Sequence, residues 1–528
     1  MNRTGAMQAN PPTHFNFARD VVERRARERP DALALWCVGE HDSVERKLTF
    51  RQLAEQSRRA ASFFHQLGIH RGDRVLVITP RVPQWWITML GLIGLGAVPI
   101  PGTPLLTAKD IRYRVETAEV AAIIADEDGA AKAEGIELKT RLVVGGERVG
   151  WISFDASLRE GDPHFDPEPT RSDDPGLIYF TSGTTGPPKM VLHTQASYGL
   201  GHRITGELWL DLKPDDVHWC ITDTGWAKAA WSCVFGPWQM GACVFAVDAR
   251  GKFDPAAALR TLAEYPITTW CAPPTALRLM VREDLSAYRF PRLRHCVGAG
   301  EPLNPEVIET WNKATGLTIY EGYGQTETVC LIANLRSRGD EVRPGSMGKP
   351  MPGFTVALLD DELRELPAGV EGEVAVRVKP NRPLGLFREY WRNPAENALR
   401  FRGDWYLTGD RATRNDDGYY WFVGRGDDVI KSAGYRIGPF EVESALIEHP
   451  AVVEAAVVGK PDSMRGQIVK AFVVLRKDRA PCEELKHELQ EHCKRVTAPY
   501  KYPREIEFLP ELPKTISGKI RRVELRNR

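Results

Sequence analysis

The sequence predicts an α/β fold: a large N-terminal domain of several subdomains, built from layered sheets and helices, and a small α+β C-terminal domain. Three observations carry this expectation. Apolar strands alternate with amphipathic helices from Phe50 to Ala125, the pattern of βαβ units. The stretch 161–175 is rich in Pro and Asp, and a later Gly-Arg-Gly-Asp-Asp run ends at Asp428; both interrupt the pattern. Beyond that run, about a hundred residues form a compact helix–strand–strand–helix unit of their own. The boundary is expected after residue 426, giving domains 1–426 and 427–528. A chain of 528 residues has room for such a division and for a large core without disulfide staples.

The elements follow in order. Folding is expected to begin at Phe15–Arg27, after a polar leader. Thr49 and Gln52 form a capping box for a helix that buries Leu53, Ala60, Phe64 and Leu67 and stops at Gly68. Arg74–Ile78 reads as a buried strand, Trp85–Leu95 as a helix running into a strand near Val98, Asp110–Ala118 as a helix and Val120–Ala125 as a strand. Leu177–Phe180 is a further strand. Asn415-Asp-Asp-Gly418 marks a hairpin turn. In the C-terminal unit, helices run through Val442–Leu446 and Leu485–Val496, with strands at Val452–Val458 and Ile468–Leu475.

Composition excludes several classes. The 70 basic residues equal the 70 acidic ones, so the formal net charge is zero, and no basic run of the kind a nucleic-acid binder carries is present. Hydrophobic residues at 42% and charged residues at 27% fit a globular protein and exclude collagen-like, low-complexity and wholly disordered chains. The nine cysteines are scattered, without a CxxC pair, which points away from zinc sites and disulfide frameworks and toward a reducing compartment. The longest apolar stretch, Trp85–Ile100, is broken by Gly91, Gly94, Gly96 and Pro99, so no transmembrane segment is expected. No apolar signal region opens the chain. A cytosolic location is expected, with the mitochondrial matrix as the alternative.

The strongest chemical signal is a loop after the Leu177–Phe180 strand. Thr181, Ser182, Gly183, Thr184, Thr185, Gly186, Pro187 and Pro188 lead into Lys189. Glycines let the main chain approach a polyanion, hydroxyls donate to phosphate oxygens, and lysine adds a point charge. It is not a Walker A loop, because Pro188 and Met190 flank the lysine where Gly and Ser/Thr are required. A small-residue loop of this kind is also a common plain turn.

The loop does not stand alone. It resembles the phosphate loop of the adenylate-forming superfamily, which includes acyl-CoA synthetases, firefly luciferase and peptide-synthetase adenylation domains. The superfamily's other motifs follow in order up to Lys519. Gly298-Ala-Gly300-Glu301-Pro302 resembles the adenine-binding strand and turn. Glu321, Gly322, Tyr323, Gly324, Gln325, Thr326 and Glu327 resemble the motif that places Thr326 on the α-phosphate and Glu327 near Mg²⁺. The segment ending at Asp410 resembles the one whose aspartate holds the ribose hydroxyls. Arg425 and Arg436 match the family's ribose and phosphate contacts, and Asp427 matches its hinge. Lys519 matches the mobile lysine that enters the main site in the first half-reaction.

The resemblance implies an AMP-forming ligase with ATP, coenzyme A and a carboxylic acid as substrates and Mg²⁺ accompanying ATP. It also implies that the small domain is mobile and rotates between half-reactions. Ala433, Gly434 and Tyr435 would line the pantetheine channel; Arg465, Lys494, Tyr502, Pro503 and Arg504 are candidates for the nucleotide end of coenzyme A, or an ordinary solvated basic face. The subgroup resembled is that of medium-chain acyl-CoA synthetases, in stretches such as Asp223-Thr-Gly-Trp226 and Lys431–Pro439. Met190 departs from the superfamily's usual Gly. Acetate-specific members carry Trp where this chain has Gly324, so Gly324 is expected to leave room for more carbons, with Trp226 as part of the acyl wall. Alternatives are an aryl or branched-acid ligase, a light-producing oxygenase, or an inactive nucleotide-binding regulator. Partners are expected to be small molecules, and a homo-oligomer remains open.

Overall fold

The computed structural model describes residues 11–39, 44–181, 187–433, 435–514 and 519–528. Local chemistry sets its elements where the sequence expects them. Thr49 Oγ1 accepts from the Gln52 N–H at 3.3 Å while the Thr49 N–H donates to Gln52 Oε1 at 2.9 Å, closing the capping box of helix Phe50–Gln66. That helix packs on Pro83–Leu95 so closely that a Cβ at Gly91 would stand 3.0 Å from Ala60 Cβ. Leu53, Phe64 and Leu90 are fully buried there, each worth roughly 1.5–3 kcal/mol relative to exposure. Helix Pro83–Leu95 ends at Gly96, whose φ of +79° favours glycine. Among the described residues no helix is long and apolar enough to cross a membrane.

One expected strand starts later than the sequence indicates. Val120 donates to Val115 O at 3.0 Å and Glu119 takes φ +47°, so the preceding helix closes through Val120 and the strand is Ala122–Ala125.

Among the described residues four sheets are formed. In the largest, Leu33–Gly39, Cys243–Asp248, Val217–Cys220, Thr269–Ala272, His295–Ala299 and Ile319–Tyr323 lie parallel in that order. The sheet continues with antiparallel strands to the hairpin Trp405–Arg414 and Tyr420–Arg425, joined at Asn415–Gly418 as expected. A second, parallel sheet holds Val98–Pro101, Arg74–Ile78, Ala122–Ala125 and Thr140–Val143. A third, antiparallel sheet pairs Pro175–Thr181 with Lys189–Thr194, which pairs in turn with Glu389–Tyr390.

The fourth sheet lies in the C-terminal region. It orders Tyr435–Ile437, Ile430–Ser432, Gly466–Leu475 and Val452–Asp462, with Glu505–Phe508 parallel to Gly466–Leu475. Helices Pro439–Glu448 and Glu483–Val496 close its core through Val442, Leu446 and Leu489. Among the described residues no strand pairing joins this sheet to the others. All nine cysteines are free thiols, and only Cys482 is exposed.

Candidate active site

The parallel strands of the largest sheet end on one side, and the loops leaving those ends hold most of the expected residues. That is where an α/β sheet places its ligands. Strand His295–Ala299 runs into Gly300, Glu301 and Pro302; strand Ile319–Tyr323 brings Glu321, Gly322 and Tyr323 and leads to Gly324, Gln325, Thr326 and Glu327. Gly300 has φ +106°, a conformation that requires glycine.

Asp410, only 4% exposed, is the best-held carboxylate. Tyr323 OH donates to its Oδ2 at 2.6 Å and Gln325 Nε2 donates to the same atom at 2.7 Å. Gln325 is itself oriented by Thr408 O at 2.9 Å and by the Tyr406 hydroxyl at 3.0 Å. Arg425 is the cross-strand partner of Asp410 in the hairpin, its Nη1 3.5 Å from Oδ1. Asp410 holds the Arg425 guanidinium firmly protonated, raising its pKa against the effect of burial. Arg425 Nε is buried and has no hydrogen-bond partner among the described residues.

Glu327 accepts from Tyr390 OH at 2.8 Å. Burial nevertheless pushes its carboxyl pKa up, so its charge is incompletely compensated by protein. Among the described residues no group of three or more His, Cys, Asp and Glu could hold a metal ion. Lys189 opens the strand Lys189–Thr194 and is ion-paired with Glu396, which Arg400 Nε also holds at 2.9 Å. Its strand also supplies His193, which the sequence reading missed. Burial drives the His193 pKa down to about 3, so the ring is neutral. Its Nε2–H donates to Thr326 O at 2.8 Å, joined there by the Tyr198 hydroxyl, and its Nδ1 meets Ser197 Oγ at 3.1 Å. The phosphate-loop strand and the Thr326 turn are therefore one hydrogen-bonded unit. A lone His in a β-strand gives no sequence signal of this.

Glu321 is buried, with Oε1 accepting from Leu303 N–H at 3.4 Å and Oε2 unpartnered among the described residues. Burial pushes its carboxyl up to about 8.

Lys519 arrives from the C-terminal region. Burial by surrounding protein lowers its ammonium pKa; Glu301 and Asp410 oppose this, and Arg425 and Lys228 add to it. Lys519 itself is exposed to solvent. Lys228, also missed by the sequence reading, donates to Ala299 O and stands against Gly300, where a Cβ would lie 3.1 Å from its Nζ. Glu301 is fixed by Arg278 Nη2 at 3.0 Å. Contacts between the two regions accompany this arrangement: Asn304 Nδ2 donates to Ser444 Oγ at 3.0 Å, and Arg282 Nη2 donates to Val453 O at 2.8 Å. Asp427 lies between the regions; its carboxylate is 3.9 Å from Arg425 Nε and its carbonyl accepts from Arg526 at 2.9 Å.

Two expectations need revision. Gly324 does not open space: a Cβ there would stand 2.4 Å from the Trp231 ring and 2.5 Å from Val329 O. The indole of Trp231, 5% exposed and within 3.4 Å of Tyr198 OH, fills what Gly324 vacates. Trp226, half-buried, stands at the N-cap of the short helix Ala227–Ala230. Arg436 is not placed with Asp410. It faces Glu371 at 3.9 Å, a carboxylate also taken by Arg411, which follows Asp410 in the strand and points to the opposite face.

The candidate coenzyme A residues fall into two groups. Lys494, Tyr502 and Arg504 cluster, with Lys494 Nζ 4.3 Å from the Tyr502 ring and Arg504 Nη1 donating to Tyr502 OH at 2.8 Å; Pro503 O accepts from Gln490 at 3.1 Å. Ala433, with φ +49°, bonds Arg465 O at 2.9 Å, and Tyr435 stacks on Tyr500 at 4.2 Å. Ser182, Gly183, Thr184, Thr185, Gly186 and Gly434 lie outside the described residues; Thr181 and Lys189 end the strands that flank the loop.

Comparison with known proteins shows what the whole chain is similar to. The family described as AMP-binding enzyme matches residues 22–391, and the AMP-binding enzyme C-terminal domain matches residues 441–519. The chain is 51% identical to human acyl-coenzyme A synthetase ACSM4, mitochondrial, and 48% identical to mouse acyl-coenzyme A synthetase ACSM3, mitochondrial, in each case over 98% of this chain and 91% of the relative. Among solved structures, an anthranilate CoA ligase in complex with anthranoyl-AMP superposes with a TM-score of 0.90 at 32% identity, over 98% of both chains. A benzoate CoA ligase from Burkholderia xenovorans LB400 gives 0.84 at 29% identity, over 97% of this chain and all of the other.

Proposed function

The chain belongs to the AMP-binding enzyme family and is an AMP-forming acyl-coenzyme A synthetase, and from that premise we propose that it activates medium-chain carboxylic acids through the cleft at Asp410, Thr326 and Lys519. One observation carries the assignment of the site: a lysine from the small domain lies within electrostatic reach of Glu301, Arg425, Asp410 and Lys228, the groups gathered at the strand ends of the large one.

The chemistry needs little beyond positioning and charge control. The acid's carboxylate attacks the α-phosphorus of ATP in line; the α–β bridging bond breaks and pyrophosphate leaves with its electron pair. Asp410 accepts from the ribose hydroxyls, with Arg425 beside it; Thr326 and Lys189 face the phosphates, and Lys519 neutralises charge between carboxylate and α-phosphate. Lys189 exchanges Glu396 for the triphosphate. The buried, undercompensated Glu327 carboxylate is a hard oxygen donor and fits a hard cation such as Mg²⁺ brought in with ATP. Mg²⁺ bound there would supply neutralisation of phosphate charge. Rotation about Asp427 then withdraws Lys519 and presents Ala433–Tyr435. The coenzyme A thiol attacks the adenylate carbonyl, AMP leaves, and the thiol proton passes to solvent. Arg436, held by Glu371 in the present arrangement, and the Lys494–Tyr502–Arg504 cluster serve that second orientation.

A second reading has its own support. The Trp231 indole against Gly324 makes a flat, short acyl wall, which favours aryl acids of the benzoate type. Pyrophosphate release with ATP and Mg²⁺ across C2 to C12 acids and benzoate, with and without coenzyme A, separates the two. A coenzyme-A-dependent optimum at medium length supports the first reading, a benzoate optimum the second, and an acetate optimum defeats both. The curated relatives are named as mitochondrial, which favours the matrix over the cytosol for this chain; subcellular fractionation decides between them.

A further inference from the structure

Asn304 occupies the N-cap of helix Pro305–Thr315, a position where asparagine ordinarily accepts from the helix's first free N–H groups. It makes no such bond. The residue is buried, 3% exposed, and both polar atoms of its side chain bond outside its own helix. Oδ1 accepts from Arg278 at 3.4 Å, and Nδ2 donates to Ser444 Oγ on helix Pro439–Glu448 of the small domain at 3.0 Å. Arg278 also fixes Glu301, the carboxylate nearest in effect to Lys519. On the small-domain side, Glu443, next to Ser444, is held at 2.7 and 2.9 Å by Arg522, three residues beyond Lys519. Ser444 and Lys519 therefore move as one body. A rotation that withdraws Lys519 also parts Ser444 from Asn304.

We propose that Asn304, through Ser444, is a positioning residue that latches the small domain in the orientation presenting Lys519 to the cleft. The inference rests on the reading of Lys519 and Asp427 given above. A bond made in one orientation and absent from the other shifts their populations by its own net worth and leaves the chemistry of the second orientation untouched. Removing it therefore slows adenylate formation alone.

The test measures both half-reactions on the full-length enzyme: pyrophosphate formation from ATP and acid, and thioester formation from preformed acyl-adenylate and coenzyme A. In Asn304→Ala and in Ser444→Ala, pyrophosphate formation falls about threefold to tenfold, the range of one hydrogen bond's net contribution, while thioester formation is unchanged or faster. The double variant is no slower than Asn304→Ala. Ser444→Ala keeps the test decisive if Asn304→Ala fails to fold, since alanine is well tolerated inside a helix. Equal loss in both half-reactions, no loss in either, or additive losses in the double variant overturn the latch. Lys519→Ala run alongside separates the layers. If it abolishes pyrophosphate formation while the latch variants change nothing, only the latch fails. If it leaves pyrophosphate formation intact, the reading of the cleft fails, and the latch with it.

Discussion

Glu321 and Trp231 show how single residues depart from what their neighbours in sequence imply. Glu321 sits in the motif that leads to Glu327, yet burial raises its pKa from 4.5 to about 8. The folded state therefore binds its proton more tightly than the unfolded chain does. Stability from this group is fully present below pH 4.5 and is lost as pH rises toward 8. Glu321→Gln removes the titration: urea unfolding is expected to find the variant more stable than the parent at pH 8, by on the order of a few kcal/mol, with the difference vanishing near pH 4.5. If Gly324 borders the acyl pocket, as proposed above, the Trp231 ring packed against it sets the pocket's end. Trp231→Ala is expected to move the preferred acid to longer chains, each added methylene strengthening kcat/KM about fourfold until the enlarged pocket ends, and to weaken any preference for benzoate. A panel of acids reads this directly. Gly324 is visible in the sequence, but the ring that fills its space lies 93 positions away and only the fold brings it there.

At the scale of elements, patterns written locally are legible and pairings between elements are not. Thr49 with Gln52 and Asn415–Gly418 place a helix start and a hairpin turn from adjacent residues alone, and both stand where expected. The strand Lys189–Thr194 shows the limit. Lys189 is conspicuous in its motif, whereas His193, on the same face four residues on, carries the link to the Thr326 turn. His193→Phe leaves Thr326 O with the Tyr198 hydroxyl as its remaining donor and is expected to lower kcat/KM for ATP in pyrophosphate release about threefold to tenfold, the net worth of one hydrogen bond. Because the ring titrates at about 3, the parent enzyme's pH profile between 6 and 8 should show no inflection from His193. An inflection that disappears in the variant would contradict its neutral role.

At the scale of the molecule, the sequence divides the chain near Asp427 because hairpin, linker run and C-terminal unit differ in pattern; the sheets on either side share no strand pairing among the described residues. The relation between the units is not legible. Nothing near Lys519 in sequence says that it feels the charges of Glu301 and Asp410, and nothing near Asn304 says that it meets Ser444. Those contacts depend on an orientation, and an orientation is a property of two folded bodies. On the function proposed above, this orientation serves adenylate formation and is left behind for thioester formation. Rapid-quench kinetics of Lys519→Ala test it most directly, with pyrophosphate formation and thioester formation from preformed acyl-adenylate followed separately. Pyrophosphate formation is predicted to fall by roughly 10²–10³-fold while thioester formation keeps the parent rate. Equal loss in both, or pyrophosphate formation at the parent rate, would contradict it.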